Sequence, residues 1–195
     1  MRRHTRWFLA VAAAGLLLTA SSAQASPINV NDPLWYEFGF GAPPGPGTAC
    51  TAATCIPSSA GNSQFAGDPA WTFVLGAAGG AITVTDAFLR TDRFEIFDNL
   101  ASLGLTSVPS GTGACGDNPV PCLADPLVSH GIFALGAGAH SITINHLIGS
   151  GGAAYFRVDA STPVPEPATL GLLGLGVLAL GAKARAHRRQ ARVNA

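Results

Sequence analysis

Positive charge is nearly missing from the middle of this 195-residue chain. Between Ser26 and Val164 the only Lys or Arg residues are Arg90, Arg93 and Arg157. They face ten acids (Asp32, Glu37, Asp68, Asp86, Asp92, Glu95, Asp98, Asp117, Asp125 and Asp159), a balance of −7 within a chain whose formal charge is zero. A region this acidic lacks the positive footprint that a phosphate backbone requires, which excludes nucleic acid as a partner. The same region has no long run of helical periodicity, so a helical bundle is excluded too. It contains no nucleophile elbow, no EF-hand spacing and no internal repeat. The length suits one domain of ordinary size.

The basic residues sit instead at the two ends, each group flanking an apolar run. Arg2, Arg3 and Arg6 precede the stretch Trp7 to Leu18, and Ala23-Gln24-Ala25 follows. A basic start, a short apolar stretch and a small-x-small site make a secretory signal peptide over residues 1–25, cleaved by signal peptidase before Ser26. The apolar stretch is short for a membrane span, which needs about 20 residues. Arg2-Arg3 lacks the surroundings of a twin-arginine signal, which favours the general secretory route.

At the other end Pro163-Val164-Pro165-Glu166-Pro167 is stiff and extended, because each proline fixes its own backbone and disfavours helix in the residue before it. The run Ala168 to Ala182 carries no charge, and as a helix it would cover roughly 22 Å of a hydrocarbon core about 30 Å thick. Such a helix spans with local thinning or snorkelling of the basic flank. Lys183, Arg185, Arg188, Arg189 and Arg192 then place a basic tail over residues 183–195 on the cytoplasmic side, leaving the preceding domain outside.

The order Val164-Pro165-Glu166-Pro167, Gly/Leu-rich helix, arginine-rich tail resembles the PEP-CTERM sorting signal of Gram-negative bacteria. The resemblance is confined to the stretch from Pro163 onward. It implies an exosortase, an integral-membrane cysteine transpeptidase, as partner, with processing near Pro165-Glu166-Pro167. It also implies a place among envelope, biofilm and extracellular-polysaccharide matrix proteins. A sortase signal of the Leu-Pro-x-Thr-Gly kind is absent, and a GPI signal would not carry a basic terminus.

Residues 26–162 read as an all-β ectodomain. Alternating segments bounded by Gly, Pro, Asn and Asp fall at Leu34–Phe40, Trp71–Leu75, Ala81–Thr85, Arg93–Phe97, Gly104–Val108, Gly131–Leu135, His140–Asn145 and Ala154–Asp159. Trp71, Phe73 and Leu75 share one face. Ile82 and Val84 do likewise with Thr83 and Thr85 opposite, as do Ile142 and Ile144 with Ser141, Thr143 and Asn145 opposite. Period two with one wet face predicts an antiparallel sheet, and about eight such strands predict a jelly-roll-like β-sandwich. Gly41–Gly47 and Val108–Pro126 are expected to be loops.

Four cysteines in an exported chain favour disulfides, and sequence alone permits three pairings. The local pairs Cys50–Cys55 and Cys115–Cys122 are favoured because each staples one loop, worth roughly 2 kcal/mol per closure. A zinc site of four thiolates is the alternative, although the gaps are looser than a zinc knuckle. His140 and His146 share parity with Ile142 and Ile144 and should cap a buried strand face. Ser129-His130 is rejected as a nucleophile and base, since neighbours on a strand point to opposite faces. Asp86, Asp92, Glu95 and Asp98 around Arg90 and Arg93 form the main polar constellation. Asp86, Asp92 and Asp98 are the candidate calcium ligands, although aspartate is also common at turns.

The expected function is that of an exported, non-catalytic envelope or matrix protein without a cofactor. It is held at the membrane and then placed at the cell surface or outside. The alternative is a carbohydrate- or calcium-binding module in which Trp35, Tyr36 or Tyr155 would stack on sugar rings. A secreted hydrolase ranks last.

Overall fold

The computed structural model describes residues 25–162. The expected signal peptide through Gln24 (with Ala23), the motif residues Val164, Pro165, Glu166 and Pro167, the expected membrane helix over 168–182 and the basic tail lie outside the described residues. The described chain runs β1 (Ser26–Pro27), β2 (Trp35–Phe40), β3 (Gly45–Thr48), β4 (Ser63–Phe65), β5 (Trp71–Leu75), β6 (Gly80–Asp86) and β7 (Phe88–Leu89). It continues through β8 (Arg93–Asp98), β9 (Ala101–Leu105), β10 (Ala114–Gly116), α1 (Pro119–Ala124), β11 (His130–Leu135), β12 (Gly138–Ile148) and β13 (Gly152–Ala160). Among the described residues no helix is long and apolar enough to cross a membrane.

The strands form two layers. One has the order β1-β5-β12-β8-β9; the other has β2, β13, β6 and β11 in order, with β4 along the outer edge of β2. Most pairings are antiparallel, the exceptions being β1 with β5 and β4 with β2. The layers are joined along one side by β3, which pairs with the end of β2 and with Asn145 and His146 of β12. The Gly/Pro stretch expected to be a loop therefore carries the strand that connects the sheets. Gly47 explains how. A Cβ there would meet the Ile144 carbonyl at 3.1 Å and the Phe38 ring at 3.1 Å, so glycine lets β3 lie this close without displacing either neighbour.

Alternation sets the core. Phe38, Phe156, Ile82 and Val84 from one layer meet Trp71, Phe94, Ile96, Ile142 and Ile144 from the other in one buried cluster. Phe38 contacts the rings of Phe40, Trp71, Phe94 and Phe156 at centroid distances of 5.6 to 6.1 Å. The outer face of β5 and β12 is wet as expected, with Val74 exposed and Ser141, Thr143 and Asn145 half-exposed.

The outer face of the second layer is not wet. Thr83 and Thr85 are buried, and Trp35, Ala87, Cys122, Val128 and Tyr155 form a second cluster there. Two disulfide loops cover this face. Asp117 accepts from the Ser59 amide at 2.8 Å and its hydroxyl at 3.0 Å, and Asn118 accepts from Asn62 at 3.0 Å, tying the loops to each other. Part of the expected loop at Val108–Pro126 is ordered as β10 and α1. The helix is capped by the Asn118 side chain, which accepts from the Val120 amide. β9 begins earlier than the alternation suggested, because Asn99 (φ 49) and Leu100 (φ 71) make a two-residue turn straight out of β8.

Truncating Phe38 to alanine should cost about 3–5 kcal/mol of stability, read from the urea unfolding midpoint. Val74→Ala, on the wet face, should stay within about 0.5 kcal/mol of the parent. Equal effects would mean that the two layers do not share the interior described.

Candidate functional site

Trp35-Tyr36-Glu37-Phe38-Gly39-Phe40 builds the site from a single strand. Period two sends Tyr36, Phe38 and Phe40 into the core and Trp35, Glu37 and Gly39 to the outer face. Over that face the chain closes the disulfide Cys50–Cys55, with the second disulfide, Cys115–Cys122, in the neighbouring loop. Both bonds are the local pairs expected. With every described cysteine in a disulfide, the four-thiolate zinc alternative falls away.

Glu37 is fully buried, and neither of its carboxylate oxygens has a hydrogen-bond partner among the described residues. One carboxylate oxygen and the sulfurs of Cys50 and Cys55 lie within 4.8 Å of one another. Burial pushes this carboxyl up to about 7. The Ile56 amide, facing it without reaching hydrogen-bonding geometry, opposes the shift, and the charge of Asp117 adds to it. Tyr155, raised by burial and by the charges of Glu37 and Asp117, spends its hydroxyl on the Asp117 carbonyl at 2.9 Å.

Two neighbouring depressions border the start of β13 and share Phe88, Gly152 and Ala153 as lining. One is an open groove that also takes in Cys55 and Ile56, and the other takes in Asp92 and Ser150. Phe88 adopts φ 60, a left-handed conformation costly for a bulky residue, and its ring packs against Tyr155 at 6.5 Å.

The acidic set divides. Asp86 accepts from the amides of Ala87 (2.8 Å) and Asp92 (3.1 Å), closing the turn between β6 and β8. Burial first, then the charge of Asp92, pushes its carboxyl up to about 8. Asp92 accepts from the Ser150 amide at 2.7 Å and meets His146 Nε2 at 3.0 Å. Burial raises it as well, opposed by Ser150 and His146. Gly149, at φ 121, lies so close to Asp92 that a side chain there would collide with the carboxylate.

Asp98 belongs elsewhere. It sits at the far end of β8 from Asp92, roughly 20 Å along the strand, and holds His140 Nδ1 at 2.8 Å. The candidate calcium ligands Asp86, Asp92 and Asp98 are therefore not one constellation. Glu95 accepts from the Ser102 hydroxyl, Arg90 pairs with Asp125 at 2.6 Å, and Arg93 donates to the Thr106 carbonyl.

His140 and His146 are buried on the face of Ile142 and Ile144 as expected, and each has both ring nitrogens facing acceptors. His146 Nδ1 meets the Gly41 carbonyl at 2.8 Å, so it ties β12 to the chain leaving β2. Ser129 is buried, bonded to Thr106 and to the Ser107 carbonyl, while His130 turns back to Val128. Trp35, Tyr36 and Tyr155, the proposed sugar-stacking rings, are buried at 2%, 7% and 0% exposure and offer no stacking surface. Glu37 was missed by the alternation argument. Its signal was an acid in the interior of an otherwise apolar strand.

Beyond the folded region, residues 163–189 match the family model of the PEP-CTERM protein-sorting motif. The chain carries the PEP-CTERM protein-sorting motif. The motif marks an exported chain targeted to an exosortase and associated with the membrane of a Gram-negative bacterium. The match takes in Pro163 to Pro167, the uncharged run and the basic residues through Arg189. No curated protein and no solved structure matches the chain. At the start of the described residues Ala25 is exposed and Ser26 opens β1, its amide donating to the Ala70 carbonyl at 3.0 Å.

The raised Glu37 carboxyl has a consequence for stability. An acid with a higher pKa folded than unfolded holds more protons in the native state, so its contribution is full below the ordinary carboxylate value. That contribution is lost as pH rises through the folded value of about 7. Glu37→Gln should flatten the fall in urea midpoint over this window while leaving the later fall due to Asp86, which ends near 8. Parallel profiles for the two proteins would show that Glu37 does not titrate in this window.

Proposed function

We propose that this protein is a non-catalytic component of the cell envelope or extracellular matrix. Its working part is a jelly-roll-like β-sandwich, residues 26–162, released from the signal peptide at Ala25-Ser26. The C-terminal segment holds it at the membrane until the exosortase acts near Pro165-Glu166-Pro167. The observation carrying this reading is the seam between fold and signal: β13 ends at Ala160 and the sorting motif opens at Pro163. β13 is an interior strand, bonded to β2 on one side and β6 on the other. A pull from the membrane anchor therefore loads two ladders along their length.

The absence of hydrolytic chemistry is supported by how the polar groups other than Glu37 are used. The buried histidines hold carbonyls and aspartates, Ser129 is sealed beneath Thr106, and Asp86 and Asp92 close turns. The partner fitting this reading is extracellular polysaccharide, met through the polar outer face of β5, β12 and β8 rather than through stacked aromatic rings.

Purified mature protein should be retained by matrix polysaccharide from the native host in a co-sedimentation assay, without releasing new reducing ends over prolonged incubation. Release of reducing ends that grows with protein concentration would overturn the non-catalytic reading. Failure to co-sediment would remove the polysaccharide as partner.

A further inference from the structure

An unpaired carboxylate in a protein interior is costly, and its neighbours indicate what it serves. Glu37 faces the Cys50–Cys55 disulfide, with a carboxylate oxygen and both sulfurs within 4.8 Å of one another. The titratable or charged groups facing Glu37 from other elements are Asp117, in the loop before α1, and Tyr155 of β13. Neither donates a proton to it. Cys55 also forms part of the wall of an open groove with Phe40, Thr54, Ile56, Phe88 and Ala153. Cys55, 7% exposed and with the Thr54 hydroxyl 3.8 Å from its sulfur, thus borders the solvent-open groove, while one oxygen of an otherwise unpartnered carboxyl group lies beside the pair.

We propose that Cys50–Cys55 is an exchangeable disulfide that takes thiols entering along this groove, with Glu37 as its buried proton donor and acceptor. The substrate class is a cysteine thiol carried by an uncharged, apolar segment. The −7 balance of the domain disfavours anionic thiols. The incoming thiolate attacks Cys55 Sγ and forms a new sulfur–sulfur bond. The Cys50–Cys55 bond breaks, and its electron pair leaves on Cys50 Sγ. Cys50 is only 5% exposed, where a bare thiolate is poorly solvated. The Glu37 carboxylic acid gives it a proton and becomes a carboxylate. A second thiolate then attacks the mixed disulfide, releasing Cys55 to the groove. In sum two thiols are oxidised to a disulfide and Cys50–Cys55 is reduced. In the reverse direction the Glu37 carboxylate removes the Cys50 proton, and the thiolate so formed attacks a mixed disulfide at Cys55.

Cys115–Cys122 has no carboxylate beneath it and serves as a reference in the same molecule. The oxidised full chain in detergent would be treated with excess dithiothreitol, quenched by alkylation, and each disulfide scored by peptide mass mapping. Near-ultraviolet circular dichroism would report whether the fold persists. In the unmodified protein Cys50–Cys55 should open while the chain stays folded. Its rate per dithiothreitol thiolate should fall between about pH 6 and about pH 8, as Glu37 loses its proton. Glu37→Gln should slow opening near the acid end by about tenfold or more and flatten the profile, leaving Cys115–Cys122 unchanged. Opening of both disulfides together at the unfolding rate would overturn the proposal. So would a flat per-thiolate profile in the unmodified protein, a result that does not depend on how the variant folds.

Discussion

Phe38 touches rings from both layers, and the packing of the whole domain turns on that shared interior. Trp71 comes from the short β5, Phe94 from β8 and Phe156 from β13, and each is fully buried. Two sheets packed this way could slide past each other. They are kept from doing so by β3, whose Gly47 threads between the Ile144 backbone and the Phe38 ring. His146 reinforces the same corner by holding the Gly41 carbonyl from β12 and Asp92 from the turn before β8. Polar groups at this corner therefore do structural work: His146 caps the buried face of β12, and Asp92 is held by it rather than standing free as an ion ligand.

The second constraint is on the outside of the second layer. Trp35, Tyr155 and Val128 there are too apolar to face water, and two loops poor in regular structure must cover them. Short loops rich in Gly, Pro and Thr lose much entropy on ordering, and a disulfide lowers that cost by restricting the unfolded chain. The bonds between Ser59 and Asp117 and between Asn62 and Asn118 then lock one loop to the other. This cover is what seals Glu37 from solvent and leaves the apolar groove at its margin. The stability of the face and the environment of the carboxylate have one origin.

Much of this was legible from residue patterns. Trp71–Leu75 matches β5 at both ends, and the segments read at Arg93, Gly131, His140 and Ala154 each lie within or overlap the strands found. Both cysteine pairs followed from short separation in an exported chain. Three things were not legible. β3 was hidden because Gly and Pro are poor strand formers, and only the close approach of a second sheet makes them necessary. The covering of Thr83 and Thr85 depends on loops distant in sequence. Proximity of Glu37 to Cys50 and Cys55 likewise exists only once β2 and the loop after β3 are stacked. Asp86, Asp92 and Asp98 looked like neighbours by spacing, yet β8 runs straight between Asp92 and Asp98 and separates them.

Fold and address meet at two seams, Ser26 and the residues after Ala160, and the account stands on both. Intact mass measurement of the protein from its native host, with and without a functional exosortase, tests this most directly. With the enzyme, the mass should correspond to a chain beginning at Ser26 and ending near Pro165-Glu166-Pro167, plus any group attached there. Without it, the chain should extend through Ala195. A tail retained in both strains would contradict the account and reduce the C-terminal segment to a plain anchor.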